Sequence, residues 1–158
     1  GVIPDILLMA KGMGGGMPIG AFVSRQEILQ VLTHDPVLGH ITTFGGHPVN
    51  CAAALAVLNK ILDERLIERV ATLETIIRQE LNVPGVLELR GKGLLYAAEV
   101  GEFDRVLRVI ARCLEQGVIT DWFLHCNTAI RIAPPLVISE DELRDGLRIL
   151  AAAITAES

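Results

Sequence analysis

Lys11 stands where an apolar run, Ile6-Leu7-Leu8-Met9-Ala10, gives way to glycine, in the stretch Lys11-Gly12-Met13-Gly14-Gly15-Gly16-Met17-Pro18-Ile19-Gly20. A solvated lysine needs no such setting, because its ammonium prefers water and its stem prefers freedom. Three chemistries place lysine beside glycines. A phosphate-binding loop sets its glycines ahead of the lysine and follows it with Ser or Thr, whereas Lys11 precedes the glycines, so that reading falls. A dinucleotide fingerprint needs G-x-G-x-x-G between strand and helix; Gly12 to Gly16 overlap it loosely, and the next element reads as a strand. The third chemistry is a lysine nucleophile that condenses with a carbonyl, with glycines letting the backbone approach a bulky cofactor. A free lysine amine, with a pKa near ~10.4, is mostly protonated, so a neutral nucleophile requires desolvation or neighbouring positive charge; an apolar strand end supplies the first. The plain alternative is a lysine that closes a strand.

A second candidate is Arg131, set in Ala129-Ile130-Arg131-Ile132-Ala133. An arginine directed from such an extended segment is too costly to bury unless an anion meets its planar fork. That anion is either a substrate carboxylate or a protein carboxylate in a structural ion pair. His125 and Cys126 follow Trp122-Phe123-Leu124, a context that reports packing rather than ligation, and His34 and His40 are loop histidines without an assigned role. Cys51, Cys113 and Cys126 are odd in number and widely spaced, which argues against a disulfide framework and a zinc site and points to a reducing cytoplasm.

The elements that must position these residues follow from pattern. Residues 5–10 and 19–23 read as two short buried strands joined by the glycine loop. Arg25 to Leu32 reads as helix and Thr33 to Gly46 as a turn-rich loop. One long helix is expected from Pro48, with Leu55, Leu58, Leu62, Leu66, Leu73, Ile77 and Leu81 on one face, ending before Pro84-Gly85. Short strands are expected around Gly91-Lys92-Gly93, then a helix with Phe103, Val106, Leu107, Ile110 and Leu114 on one side, a strand near Val118 to Thr120, and an extended segment over 129–133. Ser139 with Glu142 forms a capping box that opens a last helix through Leu143, Leu147, Leu150 and Ile154.

The expected organisation is thus α/β, with residues 1–69 a piece of a larger sheet plus connecting helix and 70–158 a compact α+β subdomain. A chain of 158 residues, 51% hydrophobic, suffices for a sizeable core. Its net charge of −5 carries no basic stripe or aromatic–basic interleaving, which removes nucleic acid as an expected partner. No apolar stretch reaches membrane-spanning length, and Gly1-Val2-Ile3-Pro4-Asp5 lacks the features of a signal peptide. The start reads as lying inside a domain, so a fragment or processed product is expected.

Several motifs in one order carry a resemblance. Pro4-Asp5-Ile6, Ala10-Lys11-Gly12, Gly14-Gly15-Gly16, Pro18-Ile19-Gly20-Ala21, Thr43-Phe44-Gly45-Gly46-His47-Pro48, Ala52-Ala53-Ala54, Arg90-Gly91-Lys92-Gly93-Leu94 and Arg131-Ile132-Ala133-Pro134-Pro135-Leu136 span essentially the whole chain. Together they resemble the C-terminal portion of the class III pyridoxal-phosphate-dependent aminotransferases, especially the ornithine and acetylornithine group, which have a fold-type-I architecture. The resemblance implies that Lys11 forms the Schiff base with pyridoxal 5'-phosphate and shuttles the proton between substrate Cα and cofactor. It implies that Thr43 binds the cofactor phosphate of the neighbouring subunit in a homodimer, that Thr42 touches substrate, and that Arg131 pairs with the substrate α-carboxylate. A loop threonine capping the following helix is the plain alternative for Thr43. His47 departs from the asparagine that often stands there.

The resemblance also places the family's aspartate for the pyridine nitrogen, its phosphate cup and its stacking aromatic upstream of the lysine, before Gly1. The chain alone is therefore expected to be a very poor transaminase. The implied reaction moves an amino group from an ornithine-like donor to a 2-oxo acid. Two alternatives stay open: a non-catalytic dimerisation or packing module of the same lineage, and a mutase, racemase or decarboxylase using the same cofactor.

Overall fold

The computed structural model describes residues 1–158, which divide into two compact units, Gly1–Arg65 and Leu66–Ser158. No helix is long and apolar enough to cross a membrane.

In the first unit, β1 (Ile6–Met9) and β2 (Ala21–Ser24) pair antiparallel, Ile6 opposite Ser24 and Met9 opposite Ala21. The base of this hairpin is closed by Ser24 Oγ donating to Asp5 O at 2.6 Å and by the Arg25–Asp5 ion pair at 2.8 Å. Both strands were expected to be buried, and here the structure differs: Leu8 is 76% exposed and Phe22 48%. Two strands satisfy each other's backbone groups along one edge but cover neither face, so side chains apolar on both faces stay open. A short helix α1 (Gln26–Leu29) continues as a 3-10 turn to Thr33, and a turn-rich segment leads to α2 (Pro48–Asp63), which has Pro48 at its first position.

The single long helix expected from Pro48 to Leu81 is two helices. The first, α2, ends at Glu64-Arg65, where Arg65 turns into the left-handed region at φ 50°, and α3 (Leu66–Glu80) starts afresh. Leucines keep three-or-four spacing across the break, so periodicity alone conceals it.

The second unit is a four-stranded antiparallel sheet ordered β3 (Glu88–Lys92), β4 (Leu95–Glu99), β6 (Cys126–Ile132), β5 (Asp121–Phe123), with α3, α4 (Phe103–Glu115) and α5 (Glu140–Ala156). Tyr96, Ala98, Ile130 and Ile132 alternate onto the core face, where they join Leu73 and Ile77 of α3, Val106 and Val109 of α4, and Leu143, Leu147 and Ile154 of α5. The strand expected near Val118 to Thr120 begins three residues later. Thr120 spends its hydroxyl on Arg131 O at 2.6 Å, and register pairing starts with Asp121 opposite Arg131.

The α5 capping box is present as read: Glu142 N donates to Ser139 Oγ at 3.2 Å, and Ser139 N donates back to Glu142 Oε2 at 3.0 Å. The Ser139 hydroxyl also donates to Glu142 Oε2 at 2.6 Å, and this bond, with the one from Ser139 N, holds the Glu142 carboxyl below its ordinary range.

The Arg90-Gly91-Lys92-Gly93 motif is explained by packing. Gly91 lies opposite Tyr96, and a Cβ there would fall 2.3 Å from Leu95 O and 2.7 Å from Tyr96 Cα. The turn is tied to α3 by Glu74, which accepts from Tyr96 Oη at 2.5 Å and from Gly93 N at 2.9 Å, while the Arg78 guanidinium lies over the Tyr96 ring. Burial first, then the bond to Glu74, pushes the Tyr96 phenol up to about 12, and that bond holds the Glu74 carboxyl low. Gly91→Ala would overlap backbone rather than a movable side chain, so a cost of at least ~2 kcal/mol is expected, about 4–8 °C in melting midpoint. A midpoint unchanged within a degree would show that the β3–β4 turn shifts freely.

Candidate active site

The hairpin delivers Lys11 two residues beyond the end of β1. Ala10 is still extended at φ −159°, and Lys11 then enters the left-handed region at φ 53°, opening a 3-10 turn over Lys11–Gly14. A side chain in that region costs roughly 1–3 kcal/mol unless its surroundings enforce it, and such strain gathers at functional sites. Three successive turns close the loop: Met13 N to Ala10 O at 3.2 Å, Gly15 N to Gly12 O at 3.2 Å, and Met17 N to Gly14 O at 3.0 Å.

The loop is seated on α2. Gly15, at φ 57°, lies against Val57, whose Cγ2 would be 2.6 Å from any Cβ there, so this position takes no side chain. Asn50 Nδ2 donates to Pro18 O at 2.6 Å.

The side chain of Lys11 is exposed, and its amine enters no hydrogen bond or ion pair with the protein. Beside it, the Cβ positions of Gly12 and Gly16 face open space. Thr42 and Thr43 lie in the turn before α2. There Gly45 N donates to Thr42 O at 3.2 Å, His47 N donates to Phe44 O at 3.2 Å, and both threonine side chains are exposed. No side chain caps α2, so the alternative of Thr43 as a cap is not what this turn does. A primary amine without a partner beside open glycine backbone suits condensation with a carbonyl compound, while the Thr42 and Thr43 hydroxyls are exposed donors in a separate turn.

Arg131 belongs to the second unit, in the middle of β6. The argument for a buried arginine is not met: strict alternation sends Ile130 and Ile132 into the core and turns Arg131 onto the opposite face, where its side chain is 44% exposed. Across the sheet it stands in a row with Arg90, Ala97 and Asp121. Arg131 Nη2 lies 3.4 Å from Asp121 Oδ2, a long, half-exposed pair of small worth that leaves most of the guanidinium's donors unused. Arg90, by contrast, is engaged at 2.9 Å by both Glu88 and Glu99. With the small Ala97 between the two arginines, Arg90, Ala97, Phe123, His125 and Arg131 line an open hollow in which Arg131 is the less engaged guanidinium.

The segment that follows β6 is tied down by Arg69 of α3, which donates to Ile138 O at 2.6 Å and Leu136 O at 3.5 Å. Asn50, Arg69 and Asp121 escaped the sequence reading. Asn50 alone left a trace, as an amide facing the loop in an otherwise alanine-rich helical turn.

The class III aminotransferase model matches residues 1–154. The chain belongs to the class III aminotransferases. Acetylornithine aminotransferase of Haemophilus ducreyi is 37% identical over 152 residues, covering 96% of this chain and 37% of that protein. The acetylornithine aminotransferase of Methanopyrus kandleri is 39% identical over 158 residues, covering 98% of this chain and 39% of its own length. This class III chain therefore spans 37 to 39% of the length of these curated relatives.

Among solved structures, acetylornithine aminotransferase from Elizabethkingia anophelis superposes with a TM-score of 0.83 at 34% identity, over 98% of this chain and 40% of that one. The ornithine aminotransferase of Toxoplasma gondii, described with partial occupancy of PLP at its active site, gives a TM-score of 0.83 at 35% identity, over 98% of this chain and 37% of that one. The α/β class read from the sequence agrees with these neighbours.

Proposed function

We propose that this chain is the lysine-bearing part of an aminotransferase that moves an amino group from an ornithine-like donor to a 2-oxo acid, with pyridoxal phosphate carried on Lys11. The observation that carries the reading is the Lys11 amine, unpartnered on a strained turn between an apolar strand and open glycine backbone. The relatives described above include an acetylornithine and an ornithine aminotransferase, which supports the donor class.

When bound, pyridoxal phosphate supplies the electron sink that makes the substrate Cα–H bond acidic. Lys11 would hold the cofactor through its side-chain amine and, with that amine free, would move the proton at substrate Cα. Arg131 orients the substrate by its α-carboxylate, offering two parallel N–H donors to two carboxylate oxygens. Thr43 binds the cofactor phosphate of a second subunit, which makes the working enzyme a homodimer, and Thr42 touches substrate. In this reading residues 1–69 contribute to the cofactor-binding large domain, whose remaining strands cover β1 and β2, and residues 70–158 are the small domain. A cytoplasmic location fits the free cysteines.

The test uses the full-length protein with added pyridoxal phosphate. Ornithine or acetylornithine with a 2-oxo acid should yield the amino acid of that 2-oxo acid in proportion to donor consumed. Donor that is racemised, rearranged or decarboxylated while the 2-oxo acid stays untouched would move the assignment to another reaction on the same cofactor. No conversion of any kind would leave a packing module.

A further inference from the structure

We infer that Asn50 is the positioning residue for Lys11: its amide latches the glycine loop onto α2 and thereby holds the lysine in its left-handed conformation. The inference rests on the reading of Lys11 given above and extends it to a residue that never meets the cofactor.

The geometry is specific. The three turns that close residues 10–17 are local and end at Met17 N. None of them fixes the loop to anything outside itself. Two contacts do. Asn50 Nδ2 reaches Pro18 O at 2.6 Å, at the exit of the loop, and Val57 fills the space over Gly15 in its middle. Asn50 and Val57 are seven residues apart, two helical turns, so both project from one stripe of α2 together with the partly buried Ala53 and Ala54. The small alanines let the loop backbone approach, the valine sets its height, and the asparagine sets its register. Pro18 has no N–H of its own, so its carbonyl is the group through which this end of the loop can be held.

Lys11 at φ 53° lies in a region that L side chains leave unless neighbours enforce it. Loosening the exit of the loop lets Lys11 return to ordinary basins, and its amine then points elsewhere for most of the time. The loss expected on removing the latch is that of one net hydrogen bond, about tenfold in the population of the held loop.

The experiment compares the full-length protein with Asn50→Ala, with Asn50→Asp, which keeps the shape but has no N–H to donate, and with Asn59→Ala on the exposed side of α2. Amide exchange is followed at residues 13–17 and along α2. In parallel, the rate at which pyridoxal phosphate and borohydride label Lys11 is followed by mass spectrometry. Both Asn50 variants should exchange about tenfold faster at 13–17 and label about tenfold slower, with α2 unchanged and Asn59→Ala indistinguishable from the unsubstituted protein. If Asn50→Ala unfolds part of the protein, the isosteric Asn50→Asp carries the comparison.

Unchanged exchange at 13–17 overturns the inference, as does faster exchange spread equally along α2, which would make Asn50 an ordinary helix residue. Labelling that stays fast while the loop loosens overturns it too. These failures leave the function of Lys11 standing. An unlabelled Lys11 in the unsubstituted protein instead overturns the function and the inference together.

Discussion

Lys11→Ala in the full-length protein is expected to abolish amino-group transfer, with kcat reduced by at least ~10³-fold, because one substitution removes both the covalent attachment point and the general base. The fold should not notice. The Lys11 side chain is exposed and touches no partner, so thermal stability should change by less than about 0.5 kcal/mol. The substitution is best compared with Lys11→Gly, which accepts φ 53° without strain. Both variants should be equally inactive, while the glycine variant is no less stable than the alanine one. Turnover near normal in either would remove the lysine from the reaction.

Arg131→Lys should separate a carboxylate site from a structural ion pair. The lysine keeps the charge but loses the planar fork and one of two directed hydrogen bonds. Because Arg131 is half exposed and its bond to Asp121 is long, the loss is that of a charged hydrogen bond at a partly wet site, about 1.5–3 kcal/mol in transition-state binding. For an α-amino acid, kcat/KM should fall about 10- to 150-fold. An amine without the α-carboxylate should react as before, and the melting temperature should hold within a few degrees. A structural pair with Asp121 predicts the opposite pattern: reduced stability, and equal, small losses on both substrates.

How far each feature could be read from the sequence depended on whether its cause was local. The α5 start was readable because Ser139 and Glu142, three residues apart, satisfy each other's backbone. The core face of β4 and β6 was equally local, since period-two alternation assigns Ile130 and Ile132 inward by itself. The same alternation decides the face of Arg131. Flanking isoleucines argue for burial only if both faces of a strand are covered, and this sheet has helices on one face. The strand pair at the start showed the reverse. Ile6, Leu7 and Leu8 have the composition of strands buried on both faces, yet a hairpin alone cannot supply that cover.

The break after Asp63 left no mark because neither glycine nor proline signals it; Arg65 itself adopts the positive φ. Asp121, Asn50 and Arg69 act across 10, 32 and 67–69 residues of sequence, so only the folded register and packing bring them to Arg131, Pro18 and the segment after β6. For the site, Lys11 stood out through chemistry, as an amine where glycine backbone opens, whereas the roles given to Thr42 and Thr43 came from resemblance.

The most direct measurement is the site of attachment. The full-length protein is incubated with pyridoxal phosphate, reduced with borohydride, digested, and its pyridoxyl-bearing peptide sequenced by mass spectrometry. A single label on Lys11, absent from the Lys11→Ala variant and displaced by preincubation with an amino donor, is the predicted result. Label on Lys60 or Lys92, or label scattered over surface lysines and indifferent to the donor, would contradict the account.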